Sequence, residues 1–239
     1  MEITLRILVC DDEESAFRAI KEHVHHYGMA KNLKYEIEYC ATADGLLNST
    51  FDYNLLFLDI MLSDGDDGID VGKKLRADGN TALFVLITSR SDRALDGYEA
   101  NVFRYLIKPV LREKIYGVLD SAIEFLEFDR KIIEVRFKYQ RSYVHVKDVI
   151  YVESYMRKRH VVTKAGRYQT TAPWQELMVQ FSEYPCFFSP RKTHLINFSH
   201  VSEQSQAGVT MNNGVRIGFA EGRHTQFIEE LSKYLKPGM

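Results

Sequence analysis

The sequence predicts an α/β domain with a doubly wound, five-stranded parallel sheet, followed by a mostly β domain. In the first half, short apolar segments alternate with segments whose apolar residues recur at helical spacing, which is the pattern of βα units. In the second half, apolar and polar residues alternate with a period of two, as in strands with one buried face. At 239 residues, the chain is long enough for two such domains.

The apolar segments of the first half are the expected strands of the parallel sheet. Several are apolar almost throughout, as strands covered by helices on both faces should be. They are Leu5–Cys10, Tyr35–Tyr39, Leu55–Leu58, Leu83–Ile87 and Tyr105–Ile107. The last helix of this domain is expected to begin after Pro109 and to end near Arg130. We therefore expect domains at residues 1–130 and 131–239.

The second half is expected to hold many strands and two helices, Trp174–Phe181 and Thr225–Leu235. Its first hairpin is expected to close at 139–142, which reads YQRS. Another turn is expected at 212–214, because Asn and Gly tolerate positive φ.

Composition excludes two broad classes of protein. With 45% hydrophobic and 27% charged residues, the chain is not intrinsically disordered. No apolar run approaches the about 20 residues that a membrane-spanning helix needs. Cys10, Cys40 and Cys186 are far apart and match no metal-binding spacing, which favours a reducing, cytoplasmic location.

The net charge of −2 conceals an asymmetry between the halves. Residues 1–129 carry 14 Lys and Arg against 24 Asp and Glu, whereas residues 130–239 carry 17 against 9. A basic half beside an acidic half suggests different partners, with nucleic acid a candidate for the basic one. Chance variation in charge between domains is the alternative.

Polar residues follow four of the expected parallel strands. They are Asp11 and Asp12 after the first, Asp59 after the third, Thr88 after the fourth and Lys108 after the fifth. Ligands bind at the carboxyl ends of strands in such sheets, so we expect these side chains to converge. Three carboxylates repel one another unless a cation relieves them, and oxygen ligands suit Mg²⁺. The set predicts phosphoryl transfer to Asp59, with Lys108 pairing with the phosphoryl group and Thr88 donating to it.

Three other interpretations use the same residues. Asp59 alone could be a helix cap or turn residue. A haloacid-dehalogenase-like phosphatase needs a second Asp two positions after the nucleophile, where this chain has Met61. A calcium-binding EF-hand starting at Asp64 needs a bidentate Glu where this chain has Leu75.

The motifs VCDDEE, LLFLDI, LITS and YLIKP resemble, in order and spacing, the receiver domain of two-component response regulators over residues 4–129. The resemblance implies that Asp59 is the phosphoacceptor and that Asp11 and Asp12 form an acidic pocket. It also implies that Asp12, Asp59 and the backbone carbonyl of Met61 hold a metal. Thr88 and Tyr105 would form a two-residue switch, and Lys108, before a cis proline, would pair with the phosphate. Receivers typically have Pro and Gly in the loop after the phosphoacceptor, but MLSDGDDG has no Pro and is one residue longer.

The second half resembles the LytTR DNA-binding domain over residues 132–236. The similar stretches are VIYVES, RKRHVVTKAGRYQT, FFSPRKTHLINFSHV and MNNGVRIGF. The match is looser here, since Arg191-Lys192-Thr193 replaces the usual His-Arg-Ser and Ala220-Glu221 replaces the usual Ser-Arg. Basic loop residues suit phosphate contacts, while Arg and Asn can also read base edges. The candidate DNA-binding residues are Arg157, Lys158, Arg159, Arg191, Lys192, Asn197 and Arg223.

Together, these resemblances predict a cytoplasmic response regulator with a receiver and a LytTR-type DNA-binding domain. Its expected partners are a sensor histidine kinase and double-stranded DNA with repeated half-sites, and phosphorylation is expected to favour a homodimer. It would be a transcription regulator and not an enzyme in the usual sense, and Mg²⁺ would be its cofactor. The alternative is that the basic half binds RNA or a protein partner.

Overall fold

The computed structural model describes residues 3–62, 65, 67–89 and 102–235. The chain divides into two compact units, Met1–Leu126 and Glu127–Met239, close to the expected boundary at residue 130. Among the helices of the described ranges, none combines the length and apolar composition that a membrane span requires.

The first unit is built on a parallel sheet of five strands in the order β2-β1-β3-β4-β5, as predicted. Its elements are β1 (Thr4–Cys10), α1 (Glu14–Lys31), β2 (Lys34–Cys40), α2 (Ala43–Leu47), β3 (Leu55–Asp59), α3 (Gly68–Ala77), β4 (Leu83–Thr88), β5 (Arg104–Ile107) and α4 (Arg112–Arg130). The connection between β4 and β5, where a further helix was expected, falls largely on residues 90–101, outside the described ranges.

The two faces of this sheet are covered by different helices, which makes it doubly wound. Leu55 and Phe57 of β3 point into an apolar cluster with α1 and α4. Leu56 and Leu58 point into a second cluster with α2 and α3. Because β3 is buried on both faces, its residues are all apolar until Asp59, where the strand ends.

The second unit combines an antiparallel sheet in the order β10-β9-β8-β12-β11 with a three-stranded sheet, β13-β14-β15, and a hairpin, β6–β7. Its elements are β6 (Ile132–Phe137), β7 (Gln140–His145), β8 (Val149–Tyr155), β9 (Lys158–Thr163), β10 (Arg167–Thr170), α5 (Trp174–Ser182), β11 (Phe187–Arg191), β12 (His194–Asn197), β13 (Val201–Ser205), β14 (Gly208–Met211), β15 (Arg216–Gly218) and α6 (Arg223–Leu235). Both predicted helices are present, and most of the rest is β, as expected.

The larger sheet of the second unit has an apolar core on each face. Val152 and Val161 lie in one cluster with residues of α5. Ile150 and Val162 lie in the other with Phe227 of α6 and residues of the three-stranded sheet. Adjacent side chains along β8 and β9 therefore enter opposite cores, so these two strands are buried on both faces, unlike the strands with one buried face that the alternation predicted.

The expected turn of the first hairpin was wrong by one to two residues. β6 ends at Phe137 and β7 begins at Gln140, so Lys138 and Tyr139 form the turn and most of YQRS belongs to a strand. Lys138 has a φ of 54°. Lysine is not a residue that signals such a turn, so composition alone pointed elsewhere. The turn expected at 212–214 is present, and Gly214 there has a φ of 82°.

Candidate functional site

Asp11, Asp12 and Asp59 meet at the carboxyl edge of the parallel sheet. β1 and β3 are neighbours, and Cys10 pairs with Leu58, so the residues that follow them lie side by side. One carboxylate oxygen from each aspartate lies within 4.8 Å of the others. Asp11 and Asp59 are buried, whereas Asp12 is exposed. The convergence predicted from the strand ends is therefore present.

Lys108 places a positive charge in this acidic cluster. Its Nζ lies 2.6 Å from Asp59 Oδ2 and 2.9 Å from Asp11 Oδ2. It also lies 3.7 Å from Glu13 Oε2, a member of VCDDEE that sequence reasoning did not single out. The Lys108–Pro109 peptide is cis, as predicted, and the Lys108 amide donates to the Thr88 carbonyl at 2.7 Å.

Burial and charge oppose each other in this cluster. Burial raises the pKa of Asp11, although hydrogen bonds from Lys108 and the Glu13 amide act in the other direction. Burial alone would lower the pKa of Lys108, but Asp59 and Asp11 outweigh it and the pKa is raised. Lys108 therefore remains an ammonium group, and the cluster is an acidic pocket with one fixed cation.

The backbone around Asp59 holds its carboxylate in place. The Met61 amide donates to Asp59 Oδ1 at 3.1 Å, while the Met61 side chain is exposed. α3 begins directly against this strand end, where the Gly68 amide donates to the Ile60 carbonyl at 2.9 Å. A Cβ at position 68 would lie 2.0 Å from the Asp59 carbonyl oxygen, so only glycine fits there. Asp67 caps α3 by accepting from the Ile69 amide at 2.9 Å.

The two predicted switch residues lie on adjacent strands. Thr88 ends β4 and is fully buried, and Tyr105 on β5 pairs with Leu86 and is half-buried. Most of the connection between their strands, residues 90–101, lies outside the described ranges. The switch itself therefore stays a prediction.

Four of the candidate DNA-binding residues are exposed at two turns, which lie at the same end of the strands of the larger sheet. Arg157 lies in the β8–β9 turn, and Lys158 follows it. Arg191 and Lys192 lie at the β11–β12 turn, and the Ser154 amide donates to the Thr193 carbonyl at 2.8 Å, so the two turns are adjacent. We call Arg157, Lys158, Arg191 and Lys192 the basic edge.

The β8–β9 turn has an unusual backbone for its residues. Met156 and Arg157 have φ values of 47° and 62°. Two left-handed central residues define a type I′ turn, which favours Asn and Gly. Non-glycine residues in this conformation carry strain, of a kind that concentrates at functional sites.

Arg159 is less accessible to DNA than the four residues of the basic edge. It lies on β9, where it pairs with Thr170 of β10, and it is half-buried. Its Nε is buried and has no hydrogen-bond partner within the described part of the chain. Sequence position alone did not separate Arg159 from its exposed neighbours in the RKRH run.

Asn197 is not available to a base edge, so the expectation for this residue needs correction. It is fully buried at the end of β12. Its Nδ2 donates to the Val149 carbonyl at 3.0 Å, and its Oδ1 accepts from the Ser199 amide at 3.0 Å. Both polar atoms of the amide are thereby used within the fold.

Arg223 also has a structural position. Its Nε donates to the Ser189 carbonyl at 2.9 Å, and its Nη2 donates to the same oxygen. The guanidinium lies 4.6 Å from the centre of the Phe188 ring. These contacts attach the start of α6 to β11, so the guanidinium is not free to contact DNA in this arrangement.

Asn197→Ala should therefore destabilise the fold instead of altering sequence preference. Removing the amide leaves the Val149 carbonyl and the Ser199 amide without their partner. We expect the free energy of unfolding to fall by about 1–3 kcal/mol in denaturant titrations. The ratio of the folded variant's affinities for a preferred and a scrambled duplex should equal that of the wild type. A lower ratio with unchanged stability would contradict the structural role.

Two family models match the chain, one after the other. Residues 7–120 match the response regulator receiver domain, and residues 121–232 match the LytTr DNA-binding domain.

Individual proteins are similar to the chain at lower identity. The sensory transduction protein LytT of Bacillus subtilis is 29% identical over 132 residues, which is 54% of this chain and 52% of that protein. The protein of the same name from Bacillus anthracis is 24% identical over 255 residues, covering 97% of this chain and 99% of that protein. The chain thus matches about half of the first relative and nearly all of the second. The structure of response regulator TrrA from Thermotoga maritima is 26% identical, covers 49% of this chain and 98% of that one, and gives a TM-score of 0.43.

Proposed function

Because the chain belongs to the response regulators in which a receiver domain is followed by a LytTR DNA-binding domain, we propose that phosphorylation of Asp59 controls its binding to DNA. The observation that carries this proposal is the convergence of Asp11, Asp12, Asp59 and Lys108 at one strand edge. A histidine kinase would supply the phosphoryl group. The chain would act in the cytoplasm, where its DNA target lies, as a regulator and not as an enzyme.

The proposed chemistry is phosphoryl transfer to a carboxylate. An Asp59 oxygen attacks the phosphorus, a new O–P bond forms, and the bond from phosphorus to the donor nitrogen or oxygen breaks. Lys108 Nζ, 2.6 Å from Asp59 Oδ2, is placed to pair with the added phosphoryl oxygens. Thr88, at the end of the neighbouring strand, would donate a hydrogen bond from its hydroxyl to these oxygens.

The acidic cluster fits Mg²⁺. Its three carboxylates offer hard oxygen ligands close enough to share one ion, and the exposed Asp12 keeps one side open to water and phosphate. Asp12, Asp59 and the Met61 carbonyl would hold the ion, with Asp11 completing the pocket. When bound, Mg²⁺ would neutralise charge on the transferring oxygens.

The basic edge is the proposed DNA contact. Its four exposed cations lie on two adjacent turns, which suits contact with phosphates along a duplex. A phosphorylation-dependent homodimer would place two such edges on repeated half-sites.

Gel-shift titrations with duplexes from a random pool and with structured RNA of equal length test this proposal. We expect binding to duplex, tighter after phosphorylation. Preference for RNA over every duplex, or no nucleic-acid binding, would instead support the alternative of an RNA or protein partner.

The switch prediction concerns Thr88. We expect Thr88→Ala to accept phosphate but to fail to dimerise, because without its hydroxyl the side chain at position 88 does not move to the phosphoryl group and vacates no space into which Tyr105 can turn. Intact mass would measure phosphorylation, and sedimentation would measure oligomeric state with a phosphate analogue. The control is Thr81→Ala, an exposed threonine before the other end of β4. Normal dimerisation of Thr88→Ala would refute this route.

A further inference from the structure

A row of polar side chains crosses the larger sheet of the second unit beneath the basic edge. Each strand contributes one residue: Arg167 from β10, His160 from β9, Glu153 from β8, His194 from β12 and Arg191 from β11. His160 and His194 pair directly with Glu153 on either side, and Arg191 pairs with His194. Glu153 is the one carboxylate in this row of five.

Glu153 contacts several members of the row. Its Oε1 accepts from Arg167 Nη2 and lies 3.7 Å from His160 Nδ1. Its Oε2 lies 3.8 Å from His194 Nε2. Arg191 contacts both nitrogens of that imidazole, since its Nε donates to His194 Nδ1 at 3.1 Å and its Nη2 lies 3.4 Å from His194 Nε2. The His194 ring therefore lies between the Glu153 carboxylate and Arg191, an arginine of the basic edge.

His194 is a neutral ring, and in this form it can couple the position of Glu153 to that of Arg191. Burial lowers the pKa of His194 to about 4, with the Arg191 charge acting in the same direction and Glu153 opposing it. The neutral imidazole can accept from Arg191 at Nδ1 while its Nε2 faces Glu153. Tyr151 stacks on the ring with a centroid distance of 6.4 Å and limits its rotation.

A carboxylate at this place works against simple electrostatic attraction to DNA. Its side chain is 14% exposed and lies behind cations that are proposed to face phosphates. We propose that Glu153 is a positioning residue for DNA recognition, orienting Arg191 through His194 and Arg167 directly, so that sequence discrimination is gained at the expense of non-specific affinity. This inference rests on the proposed DNA binding.

The proposal predicts opposite effects of Glu153→Gln on two kinds of DNA. Removing a negative charge should strengthen binding to a scrambled duplex by roughly twofold to fourfold at low salt. Losing the orientation of the arginines should weaken binding to a preferred sequence by about tenfold. The ratio of the two affinities should therefore fall.

The test compares the two-domain chain, residues 1–239, and its variants on two duplexes. One is a duplex that the wild-type chain selects from a random pool, and the other is a scrambled duplex of the same composition. The control is Glu134→Gln, which also removes a carboxylate of this unit that contacts two arginines, Arg136 and Arg141, but lies outside the row. The control should leave the affinity ratio unchanged.

A double-variant comparison separates positioning from general structural support. If Glu153 acts on the preferred sequence mainly through Arg191, then Glu153→Gln should cost less than about twofold in an Arg191→Ala background. The inference is overturned if both duplexes lose or gain affinity equally, or if the cost is the same in both backgrounds. If the wild-type chain binds no duplex, the proposed function itself fails, which is a different outcome.

Discussion

Asp59→Asn is expected to abolish the phosphate adduct that the wild-type chain forms with acetyl phosphate and Mg²⁺. The asparagine amide keeps the size of the side chain but lacks a nucleophilic carboxylate oxygen. Intact-mass measurement should show one added phosphate on the wild-type chain and none on the variant. The loss should be complete, because no second carboxylate in the pocket has the same relation to Lys108 and to the Met61 amide.

Two controls make this result specific. Asp44→Asn changes an exposed aspartate of α2 in the same unit and should leave the adduct intact. Omitting the metal should reduce the adduct strongly, because three nearby carboxylates then repel the incoming phosphoryl oxygens. An adduct that persists in Asp59→Asn would show that another residue is the phosphoacceptor.

Changing the basic edge to alanine at all four positions should nearly remove binding to DNA at physiological salt. Each cation that displaces a counterion contributes about 0.9 to the negative slope of log affinity against log salt. Removing four should therefore flatten the slope by roughly 3.6. Raising the salt from about 50 to 200 mM would then reduce the affinity of the wild type by a factor roughly a hundred times larger than the factor for the variant. Fluorescence anisotropy at several salt concentrations measures the slope.

The matched control removes four other exposed cations of the same unit. Lys131, Lys138, Arg141 and Lys233 lie outside the basic edge, and their replacement by alanine changes the net charge equally. This control should retain most of the slope. Equal flattening of the slope in both variants would show that the affinity for DNA depends on net charge alone, and the assignment of the basic edge as the DNA contact would be wrong.

The acidic pocket was predictable because it depends on where strands end. A parallel sheet brings the carboxyl ends of its strands to one edge, so residues distant in sequence, such as Asp11, Asp59 and Lys108, could be placed together. The atoms involved are then fixed by backbone contacts that sequence does not show. Gly68 is an example, since its need for a missing Cβ appears only when α3 is seen against Asp59.

The DNA-binding half was less predictable because residue type does not reveal burial. Asn197 and Arg223 have side chains that can read bases, but the fold uses them to cap a turn and to hold α6. Lys192, five positions before Asn197, is exposed instead. Strand alternation could place His194 and Glu153 on one face only after the strand pairing was known. For this reason the sequence did not predict the row of polar side chains that runs from Arg167 to Arg191.

The type I′ turn at Met156 and Arg157 restricts how DNA recognition by this chain can be re-engineered. Both positions have positive φ, so substitutions to β-branched residues should strain the turn whatever contact they would make. Neither Lys192 nor Thr193 in the adjacent turn has this conformation. A library of variants selected for a new DNA sequence should therefore accumulate its changes in the β11–β12 turn, because the β8–β9 turn tolerates a narrower set of amino acids.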